Sequence, residues 1–122
     1  MTSADFPRVL FTCALLALAG CQSTGGGRAG TLSAEETQEA SQVAFTVASA
    51  DRCVVPYRQK QMLDALLARA DARNSNVQHH NDTLQVYNEV FEGTRSKLAT
   101  DLGYCTPERL AQTRADITKY GG

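Results

Sequence analysis

Four cysteines are the residues of this chain best able to do covalent chemistry, at positions 13, 21, 53 and 105. A thiol can form a disulfide, bind a metal, act as a nucleophile or carry a thioether-linked lipid. None of the four lies in a C-x-x-C pair, the spacing typical of redox-active and metal-binding thiols. Cys21 directly follows two small residues, Ala19 and Gly20. The segment before Cys21 therefore decides which chemistry to expect.

That segment has the three parts of an export signal. Residues 1–8 are a short polar start with one basic side chain, residues 9–19 are predominantly apolar, and small residues follow. The apolar part has about eleven residues, fewer than the ~20 that a permanent transmembrane helix needs. The alternatives are an ordinary secretory signal and a buried core helix that ends in a cysteine by chance.

The sequence Leu18-Ala19-Gly20-Cys21 resembles the lipobox of bacterial lipoproteins. This resemblance implies that Cys21 receives a diacylglycerol, that signal peptidase II cleaves between Gly20 and Cys21, and that an N-acyl chain such as palmitate follows. Two or three acyl chains hold a protein stably in a lipid bilayer, whereas one chain binds only marginally. Gln22 follows the cysteine in place of the Asp that favours inner-membrane retention. The resemblance therefore implies attachment to the periplasmic face of the outer membrane.

On this interpretation the chain has three parts. Residues 1–20 are a cleaved signal peptide, residues 21–32 are the lipidated cysteine and a Gly-rich tether, and residues 33–122 are a folded domain. A flexible tether of this length spans about 20 Å on average. No Lys-Ser/Thr follows its glycines, which excludes a phosphate-binding loop. The net charge of −1 gives no strong attraction to nucleic acid.

Residues 33–122 predict an all-α fold, a small antiparallel four-helix bundle. Ser33 and Glu36 form a capping box that begins the first helix, which runs to about Arg52. We expect Pro56 in the first turn of the second helix, where its missing N–H costs nothing. The sequence Asn-Ser-Asn at 74–76 ends that helix.

The third and fourth helices are predicted from capping signals and apolar spacing. Ser75 and Gln78 form a candidate capping box for the third helix, and Gly103 is its expected end. Thr106 and Pro107 are the expected N-cap and first residue of the fourth helix. The predicted apolar seam of the third helix is Val77, His80, Leu84, Tyr87, Phe91, Thr94 and Leu98. The predicted apolar face of the fourth helix is Leu110, Thr113, Ile117 and Tyr120.

A disulfide between Cys53 and Cys105 is the expected use of the two remaining cysteines. Cys13 leaves with the signal peptide and Cys21 carries lipid, and disulfides form in the periplasm. Both cysteines lie at helix junctions that share one end of an up-and-down bundle. The bridge closes a loop of about fifty residues, which the chain-entropy model values at about 4 kcal/mol. The alternative, a redox-active pair, is disfavoured by the wide spacing. Tyr104 either covers the bridge or belongs to a partner surface.

No catalytic or metal-binding constellation is visible in the sequence. His79 and His80 are adjacent and point about 100° apart on a helix, so they do not chelate one ion from a single face. We expect His79 to be exposed and His80 to lie at the edge of the core. We therefore predict no enzyme activity, no cofactor other than the lipid on Cys21, and no nucleic-acid partner.

These features favour a non-enzymatic interaction or envelope-assembly protein whose partners are the lipid bilayer and an envelope protein of unknown identity. A small helical disulfide-bonded domain on a lipid tether resembles, in architecture only, the pilotins that escort secretins. A groove between its helices could bind an amphipathic partner helix. The alternatives are a periplasmic stress chaperone, whose bundle loosens in acid or under redox stress, and a small ligand-binding or enzymatic domain.

Overall fold

Four α-helices make up the part of the chain that the structure, a computed structural model, describes: residues 30–122. They are α1 (Ala34–Cys53), α2 (Gln59–Arg73), α3 (Val77–Leu98) and α4 (Pro107–Lys119). This confirms the predicted all-α four-helix fold. Within residues 30–122, no helix is both long enough and apolar enough to cross a membrane. The predicted cleavage and lipidation residues, Gly20 and Cys21, lie outside the described residues.

Helix α1 is the centre of the fold and contacts each of the other three helices. It packs most extensively against α3, and the two run parallel. Glu36 meets His79 at one end, and Arg52 Nη2 donates to the carbonyl of Asp101 at the other (3.0 Å). Consecutive helices along the chain are antiparallel. The buried apolar residues of α1 are Ala40, Val43, Ala44, Val47, Ala48 and Ala50.

Two helix starts follow the predicted capping chemistry. The Ser33 hydroxyl accepts from the Glu36 N–H (3.1 Å), and the Glu36 carboxylate accepts from the Ser33 N–H (3.3 Å). At α4, the Thr106 hydroxyl accepts from the Arg109 N–H (3.2 Å), and Pro107 is the first helical residue. Both motifs satisfy backbone donors that have no partner inside the helix. They therefore fix where α1 and α4 begin.

The prediction for Pro56 is wrong, because α2 begins three residues later, at Gln59. The Val55 N–H donates to the Ala50 carbonyl (2.9 Å), and the Val55 side chain is buried. This contact keeps the chain against the end of α1 past the point where a helix could have started. The N-cap residue, Arg58, contributes no side-chain hydrogen bond.

Both predicted ends of the third helix also need correction. The N-cap of α3 is Asn76 instead of Ser75, because the Asn76 side chain accepts from the Gln78 N–H (2.8 Å). The helix ends at Leu98, well before Gly103. The Asp101 carbonyl accepts the hydrogen bond from Arg52 on α1. The connection after Leu98 is thus held against α1 instead of extending α3.

Candidate functional site

A groove of about 660 Å³ lies over α1, between α3 and α4. We call it the central groove. The residues that line it are Gln38, Ser41, Gln42, Phe45, Thr46, Val90, Gln112, Asp116, Lys119 and Tyr120. Its floor comes from α1, one wall from α3 and the other from α4. It is the surface along which α1 is left uncovered.

Phe45 gives the groove an apolar centre. Its side chain is 37% exposed, and it is one of only four large hydrophobic residues classed as exposed within residues 30–122. Its neighbours Ala44 and Thr46 are buried, so α1 presents Phe45 beside its packed face. Val90 on α3 is partly buried next to it. An exposed phenyl ring in a concave surface is a favourable contact point for an apolar side chain of a ligand or partner.

The α4 wall is polar and carries both charges. The Gln112 side-chain amide donates to the Asp116 carboxylate (2.9 Å). The Tyr120 hydroxyl donates to the Gln42 side-chain carbonyl across the groove floor (2.6 Å), tying the end of α4 to α1. The Lys119 ammonium lies 5.2 Å from the centre of the Tyr120 ring. This wall therefore offers amides and both signs of charge around an apolar centre.

The disulfide between Cys53 and Cys105 is present, as predicted, with the two Cα atoms 5.5 Å apart. It fastens the chain before α4 to the end of α1. Tyr104 directly precedes the bridge, and its hydroxyl shares a 2.6 Å hydrogen bond with the hydroxyl of Ser49 on α1. The covalent bond and this hydrogen bond together fix the position of the Tyr104 ring.

Arg109 lies between two aromatic rings at the disulfide end of the groove. Its guanidinium carbon is 5.9 Å from the centre of the Phe45 ring and 4.8 Å from the centre of the Tyr104 ring. These are distances at which a cation is attracted to an aromatic face. Arg109 precedes Gln112 by one helical turn, so it extends the groove-lining face of α4. The ring of Tyr104 is thereby connected to the central groove through Arg109.

The opposite end of the bundle is closed by four polar residues, which we call the polar clasp: Thr31, Glu36, His79 and Asp82. His79 and Asp82 are buried, whereas Glu36 is half-buried and Thr31 is exposed. His79 is 1% exposed, and its Nε2 contacts the Glu36 carboxylate. The Asp82 carboxylate accepts from the Thr31 N–H (2.8 Å) and from the Thr31 hydroxyl (2.9 Å). Thr31, at the end of the predicted tether, therefore contacts α3.

The expectation that His79 is exposed is wrong, and the predicted seam of α3 fails at its first turns for the same reason. Glu36, at the start of α1, gives His79 a charged, half-buried partner, so the helix face that includes His79 turns inward. Val77 is 72% exposed and His80 lies at the surface, where it contacts Asp71 (3.0 Å). The seam holds from Tyr87 onward, since Tyr87 and Leu98 are buried and Phe91 packs on the core.

Hydrogen bonding keeps both carboxylates of the clasp ionised. Burial opposes ionisation of Glu36, but bonds from Ser33 and the contact with His79 lower its pKa below the usual value of 4.5. The backbone and side chain of Thr31, with the side chain of Gln78, lower the pKa of Asp82 below its usual value of 3.8. A carboxylate that accepts several hydrogen bonds is stabilised in its charged form.

The sequence did not identify the central groove or Arg109. Phe45 carried a signal, because a large aromatic residue lies beside the apolar stripe of α1 instead of within it. Arg109 carried none, since Phe45 lies on another helix and Tyr104 lies in the connection before α4. Within residues 30–122, no group of three or more His, Cys, Asp or Glu side chains is arranged to hold a metal ion.

The chain was compared with protein-family models, with curated proteins and with solved structures. None of the three comparisons finds a match. The geometry of the groove, the clasp and the disulfide, together with the sequence before residue 30, is therefore the basis for proposing a function.

Proposed function

We propose that this chain is a bacterial lipoprotein, anchored by lipid on Cys21 to the periplasmic face of the outer membrane. Its helical domain acts without catalysis, as an interaction or assembly factor that binds another envelope protein. The Leu18-Ala19-Gly20-Cys21 sequence supports the anchor. The disulfide between Cys53 and Cys105 supports an oxidising compartment, since structural disulfides are rare in the cytosol.

The central groove is the observation that carries the binding role. It has an exposed aromatic residue at its centre, polar walls and a floor formed by one helix, which is the form of surface that accepts an amphipathic helix. The floor residues Gln38 to Thr46 extend about 12 Å along α1, at 1.5 Å per residue. A partner helix of about two to three turns fills that length. A pilotin-like role, in which such a domain escorts an envelope protein, fits this arrangement.

The anchor is tested by the Cys21→Ser variant of the full chain, expressed in a bacterial host. We expect the wild-type protein in the outer-membrane fraction, with a diacylglycerol-modified Cys21 detected by mass spectrometry. The variant should be unprocessed or released. Cys13→Ser is the matched control, because it removes a thiol from the apolar segment and should leave localisation unchanged. Membrane-bound mature protein in the Cys21→Ser variant would contradict the proposal.

The binding role is tested by photo-crosslinking in cells. The crosslinking amino acid p-benzoylphenylalanine replaces Phe45 or Gln112 in the groove and, as a control, Lys60 on the exposed side of α2. We expect one envelope protein to form an adduct at both groove positions and not at position 60. Absence of a groove-specific adduct would contradict a partner-binding function of the groove.

A periplasmic stress chaperone is the second candidate, and the polar clasp favours it. Low pH protonates Glu36 and Asp82 and removes the charged partner of the buried His79 contact. The bundle would then loosen at that end and expose its core. An aggregation assay with an unfolded client protein tests this function: protection that increases at acid pH supports it, and equal aggregation with and without the domain contradicts it.

A further inference from the structure

We propose that Arg109 selects the partner of the central groove by pairing with a side-chain carboxylate on an acidic amphipathic helix. This inference rests on the proposed function, and it adds the chemistry of the partner to the shape of the site. It predicts an Asp or Glu at the end of the partner segment that lies near the disulfide.

The Arg109 side chain has no carboxylate partner among the described residues. Of the residues that the structure describes, no Asp or Glu oxygen lies within 4.0 Å of its guanidinium. The other half-buried arginines of the described residues have polar partners: Arg69 contacts the Glu39 carboxylate (2.5 Å), and Arg52 donates to the Asp101 carbonyl (3.0 Å). The planar guanidinium is the side chain best suited to bind a carboxylate through two parallel hydrogen bonds.

The Arg109 side chain is already ordered by two aromatic rings before any partner binds. Arginine normally loses much side-chain freedom when it is ordered by a partner, which weakens surface ion pairs. Here Phe45 and Tyr104 lie on the guanidinium, and Tyr104 is itself fixed by Ser49 and by the neighbouring disulfide. Because this order exists before a partner arrives, less freedom remains to be lost on binding.

The charges along α4 indicate where the partner carries its acid: Arg109 and Lys119 lie at opposite ends of the groove-lining face, and only Lys119 lies within one turn of Asp116. Asp116 lies in the groove wall, and its charge repels a carboxylate placed near the middle of the groove. Arg109 precedes it by seven residues, which is about 10 Å along α4 at 1.5 Å per residue. A partner helix therefore meets Phe45 with an apolar side chain and Arg109 with an acidic one, about one turn apart.

The experiment uses the full chain with p-benzoylphenylalanine at position 112, in combination with changes at Arg109. We expect Arg109→Glu to lower the yield of the envelope-protein adduct about tenfold or more, as loss of a binding hot spot does. Arg109→Lys keeps the charge without the planar fork and should retain an intermediate yield. Arg114→Glu is the matched control: it makes the same charge change on an exposed part of α4 and should keep the wild-type yield.

The segment of the partner that forms the adduct is then identified by mass spectrometry and tested by charge exchange. We expect an Asp or Glu within about one helical turn of the adduct, and its replacement by Arg should restore the adduct with the Arg109→Glu variant. Thermal unfolding of each variant confirms that it is folded. An adduct yield that is insensitive to Arg109→Glu, or failure of the charge exchange, overturns this inference while the binding function stands. Absence of any groove adduct with wild-type Arg109 overturns both.

Discussion

The two ends of this helical bundle are closed by different chemistry. At the end where α1 and α3 begin, the polar clasp joins Thr31, Glu36, His79 and Asp82 through partly buried hydrogen bonds. At the other end, a covalent bond between Cys53 and Cys105 joins the end of α1 to the chain before α4. Large apolar side chains remain exposed there: Val54 is 88% exposed and Leu102 is 91% exposed.

The two ends of the bundle therefore respond to different solution conditions. The clasp depends on ionised carboxylates and is therefore sensitive to acid. The disulfide is insensitive to acid and sensitive to thiols. The disulfide also positions Tyr104 beside Arg109, so the binding end of the groove is linked to the redox state while the clasp is not.

The largest expected effect is removal of the disulfide. The double change of Cys53 and Cys105 to Ser releases a loop with a sequence separation of 52 residues. The chain-entropy model gives a loss of about 4 kcal/mol in the free energy of unfolding, a large share of the stability of a small domain. Urea unfolding measures this loss, with the wild-type protein under reducing conditions as the control. Reduced wild-type protein should match the variant, and equal stability of the variant and the oxidised wild-type protein would contradict a structural role for the bridge.

The next effect is expected at His79. His79→Ala removes a fully buried ring and leaves the Glu36 carboxylate without its partner, so we expect a loss of about 2–4 kcal/mol. His80→Ala is the control from the adjacent position. His80 contacts Asp71 at the surface, and loss of an exposed pair costs about 0–1 kcal/mol. Urea unfolding at neutral pH compares the two, and a larger loss at His80 would contradict the burial of His79.

Acid should lower the contribution of the clasp to the free energy of unfolding. The pKa values of Glu36 and Asp82 are lowered in the folded protein. Their contribution to stability is thus fully present above the usual values of 4.5 and 3.8 and is lost as the pH falls through the folded values. We expect the unfolding free energy to fall with acidity below about pH 4.5, and Glu36→Gln to flatten that slope.

The disulfide variant is the control for this pH profile. Removal of the bridge should lower the whole stability curve while leaving the pH slope below 4.5 unchanged. A slope that disappears with the disulfide would mean that the two ends are not independent, and one that Glu36→Gln leaves intact would mean that Glu36 does not contribute to it.

The smallest expected effect is at Val54. This residue caps α1 with φ of 53°, in the left-handed region that a β-branched side chain rarely adopts. Val54→Gly removes the strain but adds chain entropy to the unfolded state, so we expect a net gain of about 0.5–1 kcal/mol. Val54→Ala is the control, because alanine keeps the Cβ atom and most of the strain. Destabilisation by glycine would contradict strain at this position.

The sequence predicted the parts of the fold that depend on neighbouring residues. The capping box of Ser33 and Glu36 and the Thr106-Pro107 start are local chemistry, and both appear in the structure. The disulfide was predictable because the bundle topology brings Cys53 and Cys105 to the same end.

The predictions from sequence were wrong where a residue on another element determines a helix start or the burial of a side chain. Pro56 lies outside α2 because Val55 is bound and buried against the end of α1. His79 turns inward because Glu36, on another helix, offers it a partner. The candidate site is of the same kind: Arg109 meets rings from α1 and from the connection before α4. The apolar periodicity of a single helix does not predict contacts of this kind, because they depend on residues outside that helix.

The central position of α1 has a consequence for the order in which the chain becomes structured. The other three helices all follow α1 in the sequence, and its last cross-contact is the hydrogen bond from Tyr120 to Gln42, 78 positions apart. As the chain is synthesised from its N-terminus, the apolar face of α1 is therefore made first and stays unpaired until the later helices follow. Closure of the bundle depends on the last turn of α4, so a truncation that removes Tyr120 should trap the chain as an open, protease-sensitive species.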